Sequence, residues 1–230
     1  MLIDMHAHSA GISKCCKVPY ERALLQAVLH GVDGVVLTNH YSKSYLEGIT
    51  PAEFAERYIV EFQAAKAFGE TIGCKVFFGV EVTMEPHEQL HMLIYGVGPE
   101  FVRKFPDIYD YTQQELYRLV RAEKGLMVQA HPFRRKCHLL DPNLMDGIEI
   151  NCHPKYDDTY AGKVRQIAAE YGLFVTCGGD FHADTYRPQC GMELPEDTKD
   201  HTDIRDFLLD PRPKTLCVQE PYGQPETVIV

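Results

Sequence analysis

Seven short apolar runs are spaced along the chain, and each is typical of a buried β-strand. The runs are almost continuously hydrophobic, which is the pattern of parallel strands that are covered on both faces. They span residues 2–5, 34–38, 76–82, 92–95, 126–130, 147–150 and 173–177. The pattern therefore predicts a largely parallel sheet at the centre of the protein.

Helical patterns fill most of the intervals between these runs. Thr50 and Pro51 form a cap and a first helical residue, and Thr112 and Glu115 have the spacing of a capping box. Three of the helical segments stop at a glycine: Gly31, Gly125 and Gly172. Alternating strands and helices without a linker predict a single domain over residues 1–230, most economically a barrel of βα units. An open doubly wound sheet is the alternative.

The composition and the sequence pattern argue against several classes of function. With 230 residues the chain can bury one substantial core, and its net charge of −10 disfavours binding to extended nucleic acid. No apolar run approaches the roughly 18 residues of a membrane helix. The amino-terminal residues lack the pattern of a secretory signal, and eight cysteines in a chain of this length are not typical of a disulfide scaffold. We therefore expect a cytoplasmic protein with reduced thiols and no membrane partner.

Polar side chains are concentrated where the predicted strands end. Six of the seven runs are followed by, or close on, an imidazole, carboxylate or amide: His6, His8, Asn39, His40, Glu81, His131, Asn151, His153, Asp180 and His182. In a barrel of βα units the carboxyl ends of the strands meet at one mouth, where active sites lie. We therefore expect these side chains to converge.

Imidazoles and carboxylates brought together form sites for Zn²⁺, Mn²⁺, Fe²⁺ or Co²⁺. His6 and His8 are separated by one residue, so in an extended segment they share a face and can bind one ion. Asp180 and His182 have the same spacing. There are more candidate ligands than one ion can use, which predicts a centre of two or three divalent ions.

The motifs resemble those of the polymerase and histidinol phosphatase (PHP) family. "HAHS", "TNH", "GVEVT", "LHMLIYG", "QAHPFR" and "GGDFH" follow the family's order between about residues 2 and 190. The resemblance implies a distorted, TIM-like (β/α)7 barrel, which residues 200–230 would complete or pack against. It also implies the metal ligands: one ion on His6, His8, Glu81 and Asp180, a second on Glu81, His91 and His131, and a third on His40 and His182. His91 is assigned by resemblance alone, because it opens a predicted strand instead of ending one.

The sequence departs from the family pattern at Lys14. Family members usually carry a histidine or aspartate there to complete the third ion site, and an ammonium group cannot ligate a metal. Either Cys15 or Cys16 supplies the missing ligand, or the third site is weak or empty. A thiolate would favour Zn²⁺ over Mn²⁺.

The resemblance implies a metal-dependent phosphoesterase. We expect a metal-bound hydroxide to attack the phosphorus of a small phosphomonoester, similar to the substrate of a histidinol-phosphate phosphatase. Asp180 or His182 would assist proton transfer. Arg134, Arg187 and Lys14 are the candidate ligands of the substrate's phosphate group, because guanidinium and ammonium groups match phosphate oxygens.

Three alternatives stay open. A phosphodiesterase or exonuclease acting on nucleotides would use the same centre. An amidohydrolase also begins with an HxH pair, but commonly needs a lysine at the end of a middle strand, where this chain has Glu81. A non-catalytic metal-binding member is the third. Outside the site we expect His30, His87 and His201, whereas Tyr41, Tyr156 and Tyr186 are candidates to line the mouth.

Overall fold

The computed structural model describes every residue except 85, 87, 88, 157, 185, 186 and 222, so His87 and Tyr186 lie outside the described residues. Each predicted apolar run forms strand in this structure. One long run is interrupted at Gly79 and gives two strands. The twelve strands in the described part are β1 Leu2–Ala7, β2 Gly34–Leu37, β3 His40–Tyr41, β4 Lys75–Phe78, β5 Val80–Thr83, β6 His91–Tyr95, β7 Leu126–Gln129, β8 Gly147–Asn151, β9 Phe174–Gly178, β10 Gly191–Glu193, β11 Thr215–Gln219 and β12 Pro225–Ile229.

Four of the six α-helices in the described part were predicted, and their caps explain where they begin. Thr50 and Thr112 each accept a hydrogen bond from the backbone of a glutamate three residues later, and both capping boxes are complete. The helices are α1 Tyr20–Leu29, α2 Pro51–Ile72, α3 Glu100–Lys104, α4 Gln113–Ala122, α5 Ala161–Tyr171 and α6 His201–Leu209. Helices α3 and α6 lie outside the predicted pattern.

The mixed α/β class is confirmed, but a closed TIM-like barrel is not. The described strands form two six-stranded sheets, ordered β12-β11-β10-β1-β2-β4 and β3-β5-β6-β7-β8-β9. The chain passes between the sheets at four points: from β2 to β3, from β3 to β4, from β4 to β5 and from β9 to β10. An isolated parallel bridge between Ala7 and Phe181 joins the end of β1 to the segment after β9.

The parallel pairing expected of a barrel of βα units was wrong for β6. This strand pairs antiparallel with both β5 and β7, whereas β7, β8 and β9 pair in parallel. The start of β6 therefore lies at the same edge of the sheet as the ends of β5 and β7. That inversion places His91 near the polar strand ends.

The carboxyl-terminal part extends the first sheet. Strands β10, β11 and β12 add antiparallel beside β1, and helix α6 packs its buried Ile204 and Leu208 into the core around Met5 and Val128. All eight cysteines are free thiols. Among the described helices, none combines the length and apolarity needed to cross a bilayer.

Candidate metal centre

The carboxylate of Glu81 lies at the middle of a ring of imidazoles. Its two oxygens are 2.7–3.4 Å from ring nitrogens of five histidines: His6, His8, His40, His91 and His131. Glu81, His6 and His8 are fully buried. Residues separated by up to 125 positions therefore meet at one carboxylate, as the strand-end pattern predicts.

Asp180 closes one side of this cluster. Its Oδ1 atom lies 3.1 Å from Nε2 of His8 and 3.2 Å from Nδ1 of His182. Asp180 and His131 both have positive φ, at 49° and 32°. Non-glycine residues rarely adopt that conformation, and where it persists it commonly serves a functional site. Both side chains are aimed into the cluster from strained backbone.

Hydrogen bonds fix which nitrogen three of the histidines present. Nδ1 of His6 donates to Oε1 of Glu149 at 2.8 Å, and Nδ1 of His182 donates to the carbonyl oxygen of Asp180 at 2.7 Å. Nδ1 of His8 donates to Ser13 Oγ at 3.0 Å, and that hydroxyl donates onward to Asn39. With Nδ1 engaged as a donor, Nε2 keeps its lone pair for a metal ion.

Glu149 is an important residue that the sequence analysis missed. It is fully buried on β8, and its Oε2 accepts hydrogen bonds from the backbone N–H of His131 and from Nδ2 of Asn151, both at 2.9 Å. Together with the His6 contact, this carboxylate holds ligands from two different strands. The signal was present in "IEIN", where Glu149 and Asn151 alternate with apolar residues and so share the inner face of the strand.

The donor set fits divalent metal ions. Nδ1 of His40 and Oε2 of Glu81 are buried without a hydrogen-bond partner, although the two atoms lie only 2.7 Å apart. The Nε2 atoms of His6 and His8 are 3.0 Å apart, close to the roughly 3.0–3.4 Å expected of two nitrogens that share one Zn²⁺ at 2.0–2.1 Å. Among the residues that the structure describes, four groups of three are close enough to hold an ion: His8–His40–His182, His6–His8–Glu81, His40–Glu81–His91 and His153–Asp180–His182.

Charges within the cluster shift the pKa values of its side chains. Burial alone would raise the pKa of Glu81 and Asp180, but the neighbouring histidines, and Arg134 beside Asp180, hold both well below their usual range. Burial and the charge of Arg134 lower the pKa of His131 to about 3. The carboxylates are therefore ionised and His131 is neutral near pH 7, as metal ligands must be. Burial opposes protonation of three other histidines, but the neighbouring carboxylates outweigh it: they raise the pKa of His6, that of His40 to about 9 and that of His182 to about 11, so a metal ion must displace protons from these three imidazoles.

A cavity of about 600 Å³ opens onto this cluster. Its walls include the ligand candidates His40, His91, His131, Asp180 and His182, together with three cationic side chains, Lys17, Arg134 and Lys155. Arg134 reaches furthest in: its Nη2 donates to Asp180 Oδ2 at 2.6 Å and to Asn151 Oδ1 at 2.5 Å. Tyr156 covers its guanidinium, with the ring centroid 4.0 Å from Cζ. His153, considered above only as a strand-end residue, also lines this cavity.

Two of the predicted phosphate-binding residues lie elsewhere. Arg187 is only 1% exposed, is not part of the cavity wall, and its Nη2 donates to Asp4 Oδ2 at 2.7 Å. Lys14 points away from the cavity and contacts the carbonyl oxygen of Ser44 at 3.0 Å and Glu47 at 2.7 Å. These placements argue against substrate contact by either residue, because each cation already has a partner away from the cavity.

The neighbour of Lys14 is the residue that reaches the site. Cys15 lines the cavity, and its Sγ lies 3.0 Å from Nε2 of His182. Burial raises the pKa of this thiol, but hydrogen bonds with His182 and His40 outweigh burial and lower it to about 6. Cys16 is 4% exposed and packs with Val18, Ala23 and Phe181. Of the mouth-lining tyrosines, Tyr156 lines the cavity, and Tyr41 is buried in the core.

A second, larger cavity of about 1170 Å³ lies near the starts of β8 and β9 and the last residues of the chain. Its walls include Tyr171, Phe174 and Ile229, but none of the histidines of the described structure. This larger cavity therefore lacks the imidazole groups that a metal centre of this kind would use.

Solved structures of several other proteins share this fold. One is a two-domain protein from Bacteroides vulgatus ATCC 8482 that contains a predicted PHP-like metal-dependent phosphoesterase. It has a TM-score of 0.70 and 16% identity, over 95% of this chain and 65% of that chain. A lesion-specific endonuclease from Pyrococcus furiosus has a TM-score of 0.63 and 15% identity, over 96% of this chain and 59% of that chain. An amidohydrolase from Chromobacterium violaceum, with bound sulfate, has a TM-score of 0.52 and 15% identity, over 90% and 96%.

The resemblance to PHP proteins is therefore confirmed for the fold. The chain spans less than two thirds of the length of the Bacteroides and Pyrococcus proteins. No protein-family model and no curated protein matches the sequence.

Proposed function

We propose that this protein is a metal-dependent phosphoesterase of the PHP type. The observation that carries the proposal is the position of Glu81, whose buried carboxylate lies within 3.4 Å of ring nitrogens from five histidines. A buried carboxylate in that position can bridge two ions. His6, His8 and Asp180 would complete one ion site, and His91 and His131 would complete the other.

Divalent ions bound there would lower the pKa of a coordinated water and neutralise charge on the phosphoryl oxygens. The chain's own contribution is to bind and orient the ester. Arg134 lies beside Asp180 at the cavity wall, and its guanidinium donates from the same nitrogen, Nη2, to Asp180 and to Asn151. Its stacking on Tyr156 fixes the guanidinium plane, so that a phosphate oxygen would meet donors in a set orientation.

Asp180 and His182 are the proposed groups for proton transfer. Both line the cavity, and His182 is the more accessible of the two. Its Nδ1 donates to the carbonyl oxygen of Asp180, which leaves Nε2 facing the cavity. His182 could therefore carry a proton to or from the leaving oxygen whenever it is not itself a ligand.

A small phosphomonoester is the proposed substrate. A cavity of about 600 Å³ matches the size of a small-molecule site, and the net charge of −10 opposes attraction of a long polyanion. Nucleotide phosphodiester hydrolysis is the second candidate. Its support is the pair Lys17 and Lys155 at the cavity wall, which could contact a second phosphate, and the fold shared with the Pyrococcus endonuclease.

An amidohydrolase activity has less support. The fold is shared with the Chromobacterium amidohydrolase, but the lysines of the described cavity wall, Lys17 and Lys155, lie in loops and not on a middle strand. The position that a carboxylated lysine would need is occupied by Glu81.

The test is a metal-dependence panel on the full chain. The protein would be stripped with chelator, reloaded separately with Zn²⁺, Mn²⁺ and Fe²⁺, and assayed on p-nitrophenyl phosphate, bis-p-nitrophenyl phosphate and dihydroorotate. We expect monoester hydrolysis that requires metal and is lost in Glu81→Gln but kept in Glu70→Gln, an exposed glutamate on α2. Hydrolysis of the diester alone would favour the nucleotide candidate. A metal-replete protein inactive on all three would overturn the proposal.

A further inference from the structure

Of the two adjacent cysteines in the segment after β1, only Cys15 reaches the metal centre. Lys14 is turned outward by Ser44, Glu47 and the ring of Tyr45, which lies 4.9 Å from the ammonium nitrogen. Cys16 is turned inward to the apolar cluster with Val18. Cys15, between them, is exposed at the cavity wall with its Sγ 3.0 Å from His182 Nε2.

Three imidazoles in this corner present ligand atoms that are close enough together to hold a cation. Ligand atoms of His8, His40 and His182 lie within 4.8 Å of one another. The ring of His182 is 4.2 Å from that of His8 and 5.9 Å from that of His40, measured between centroids. Ser13 Oγ accepts hydrogen bonds from Nδ1 of His8 and from the backbone N–H of His40, so one hydroxyl contacts the His8 imidazole and the backbone that carries His40.

The chemistry of this corner differs from that around Glu81. There each candidate ion has a carboxylate oxygen among its ligands, whereas the group His8–His40–His182 consists of imidazoles, and Cys15 adds a thiol sulfur beside Nε2 of His182. Thiolate ligands select Zn²⁺ and other soft ions over Mn²⁺, and oxygen-rich sites accept Mn²⁺. A Zn²⁺ ion bound at about 2.3 Å from sulfur and 2.0–2.1 Å from nitrogen needs these atoms only about 0.5 Å further apart than the 3.0 Å seen.

We propose that Cys15, His40 and His182 form a separate thiolate site that prefers Zn²⁺ to Mn²⁺, beside the carboxylate-bridged pair of sites. The proposal rests on the proposed function, because the same cavity serves both, and it specifies which metals the centre takes. Since Cys15 is exposed and the ligands around Glu81 are buried, this ion is the one that exchanges most readily with solvent.

The test reads sulfur–metal bonding directly. Metal-free full-length protein would be titrated with Co²⁺, and the thiolate-to-cobalt charge-transfer absorption recorded in the near ultraviolet. We expect the band in the wild type and its loss in Cys15→Ser. Cys16→Ala and Cys137→Ala are the matched controls, because Cys137 is the other thiol near a ligand, with its Sγ 3.8 Å from His131 Nδ1. No band in the wild type, or an unchanged band in Cys15→Ser, would overturn the proposal.

Metal content provides a second measurement that does not depend on the cobalt spectrum. After equilibration with equal Zn²⁺ and Mn²⁺, Cys15→Ser should retain one zinc fewer per chain than the wild type. Cys15→Asp should bind the ion again but reduce the zinc preference at least tenfold. Equal zinc retention in all three proteins would contradict the thiolate site. A cobalt band without phosphoesterase activity would reject the proposed function alone, and activity without the band would reject only this site.

Discussion

Nδ1 of His91 lies 2.9 Å from Oε1 of Glu81, across an antiparallel pair of strands in which His91 is opposite Thr83. The two residues lie on strands β5 and β6, which run in opposite directions. Glu81 is the second residue of β5 and His91 is the first residue of β6, and the antiparallel direction of β6 places His91 close to Glu81. A histidine that opens a strand is thus as well placed as one that ends a strand.

His91→Ala should therefore remove one ion from the pair bridged by Glu81. We expect one metal equivalent fewer per chain and a fall in kcat of at least about 100-fold, the upper range for loss of a group that supports a metal ligand. Metal analysis and steady-state kinetics would check this. His30→Ala, at the exposed C-cap of α1, is the control and should change neither quantity. Full metal content in His91→Ala would show that His91 is not a ligand.

Glu149→Gln should weaken metal binding without removing a ligand. The wild-type carboxylate accepts from three donors, namely His6 Nδ1, the His131 backbone N–H and Asn151 Nδ2. An amide would place its own N–H₂ against at least one of these donors, so a ligand must move. We expect metal affinity to fall about 10–100-fold, measured by competition with a chromophoric chelator. Unchanged affinity would mean that Glu149 does not orient the ligands.

Arg134 connects substrate binding with the metal centre. Because its Nη2 donates to Asp180, Arg134→Ala should raise KM and also loosen the ion held by Asp180, whereas Arg134→Lys should preserve charge but lose the planar guanidinium geometry. We expect KM to rise about tenfold or more in both variants, with metal loss only in Arg134→Ala. The exposed Arg135→Ala is the control. Kinetics unchanged from the wild type would exclude Arg134 from the site.

Arg187 stabilises the fold beneath the site and is not expected to bind substrate. Its guanidinium and the Asp4 carboxylate are both about 1% exposed, and Asp4 also accepts from the backbone N–H groups of His6 and Gly179. Arg187→Met would leave a buried carboxylate unpaired, which costs about 3–5 kcal/mol of unfolding free energy. Chemical denaturation would measure this. The double variant with Asp4→Asn should recover part of the loss. A single variant with an altered KM but normal stability would contradict this role.

The sequence was sufficient where chemistry follows strand ends. His6, His8, His131 and Asp180 were predicted because parallel strands deliver their carboxyl ends to one edge, and this rule needs no knowledge of strand order. Strand direction is a property of pairing, which local patterns do not contain, so the reason for the position of His91 was not accessible. Arg187 and Arg134 are both arginines in loops near the motifs, and only the packing of Phe181 and Asp4 around Arg187 distinguishes a buried ion pair from a phosphate contact.

Removal of the metal ions should destabilise the protein in proportion to how tightly they bind. Without ions, the ionised carboxylates of Glu81 and Asp180 stay buried, and only protons on the surrounding imidazoles can balance their charge. Nδ1 of His40 is also left without a hydrogen-bond partner. Ions at about 1,000 times their Kd stabilise the folded state by about 4 kcal/mol per site. Thermal unfolding with and without chelator should therefore show a lower Tm in the stripped protein, restored by adding metal back. Glu81→Gln should show a much smaller difference between the two conditions. The same Tm in stripped and loaded wild-type protein would mean that this cluster of histidines and carboxylates binds no ion.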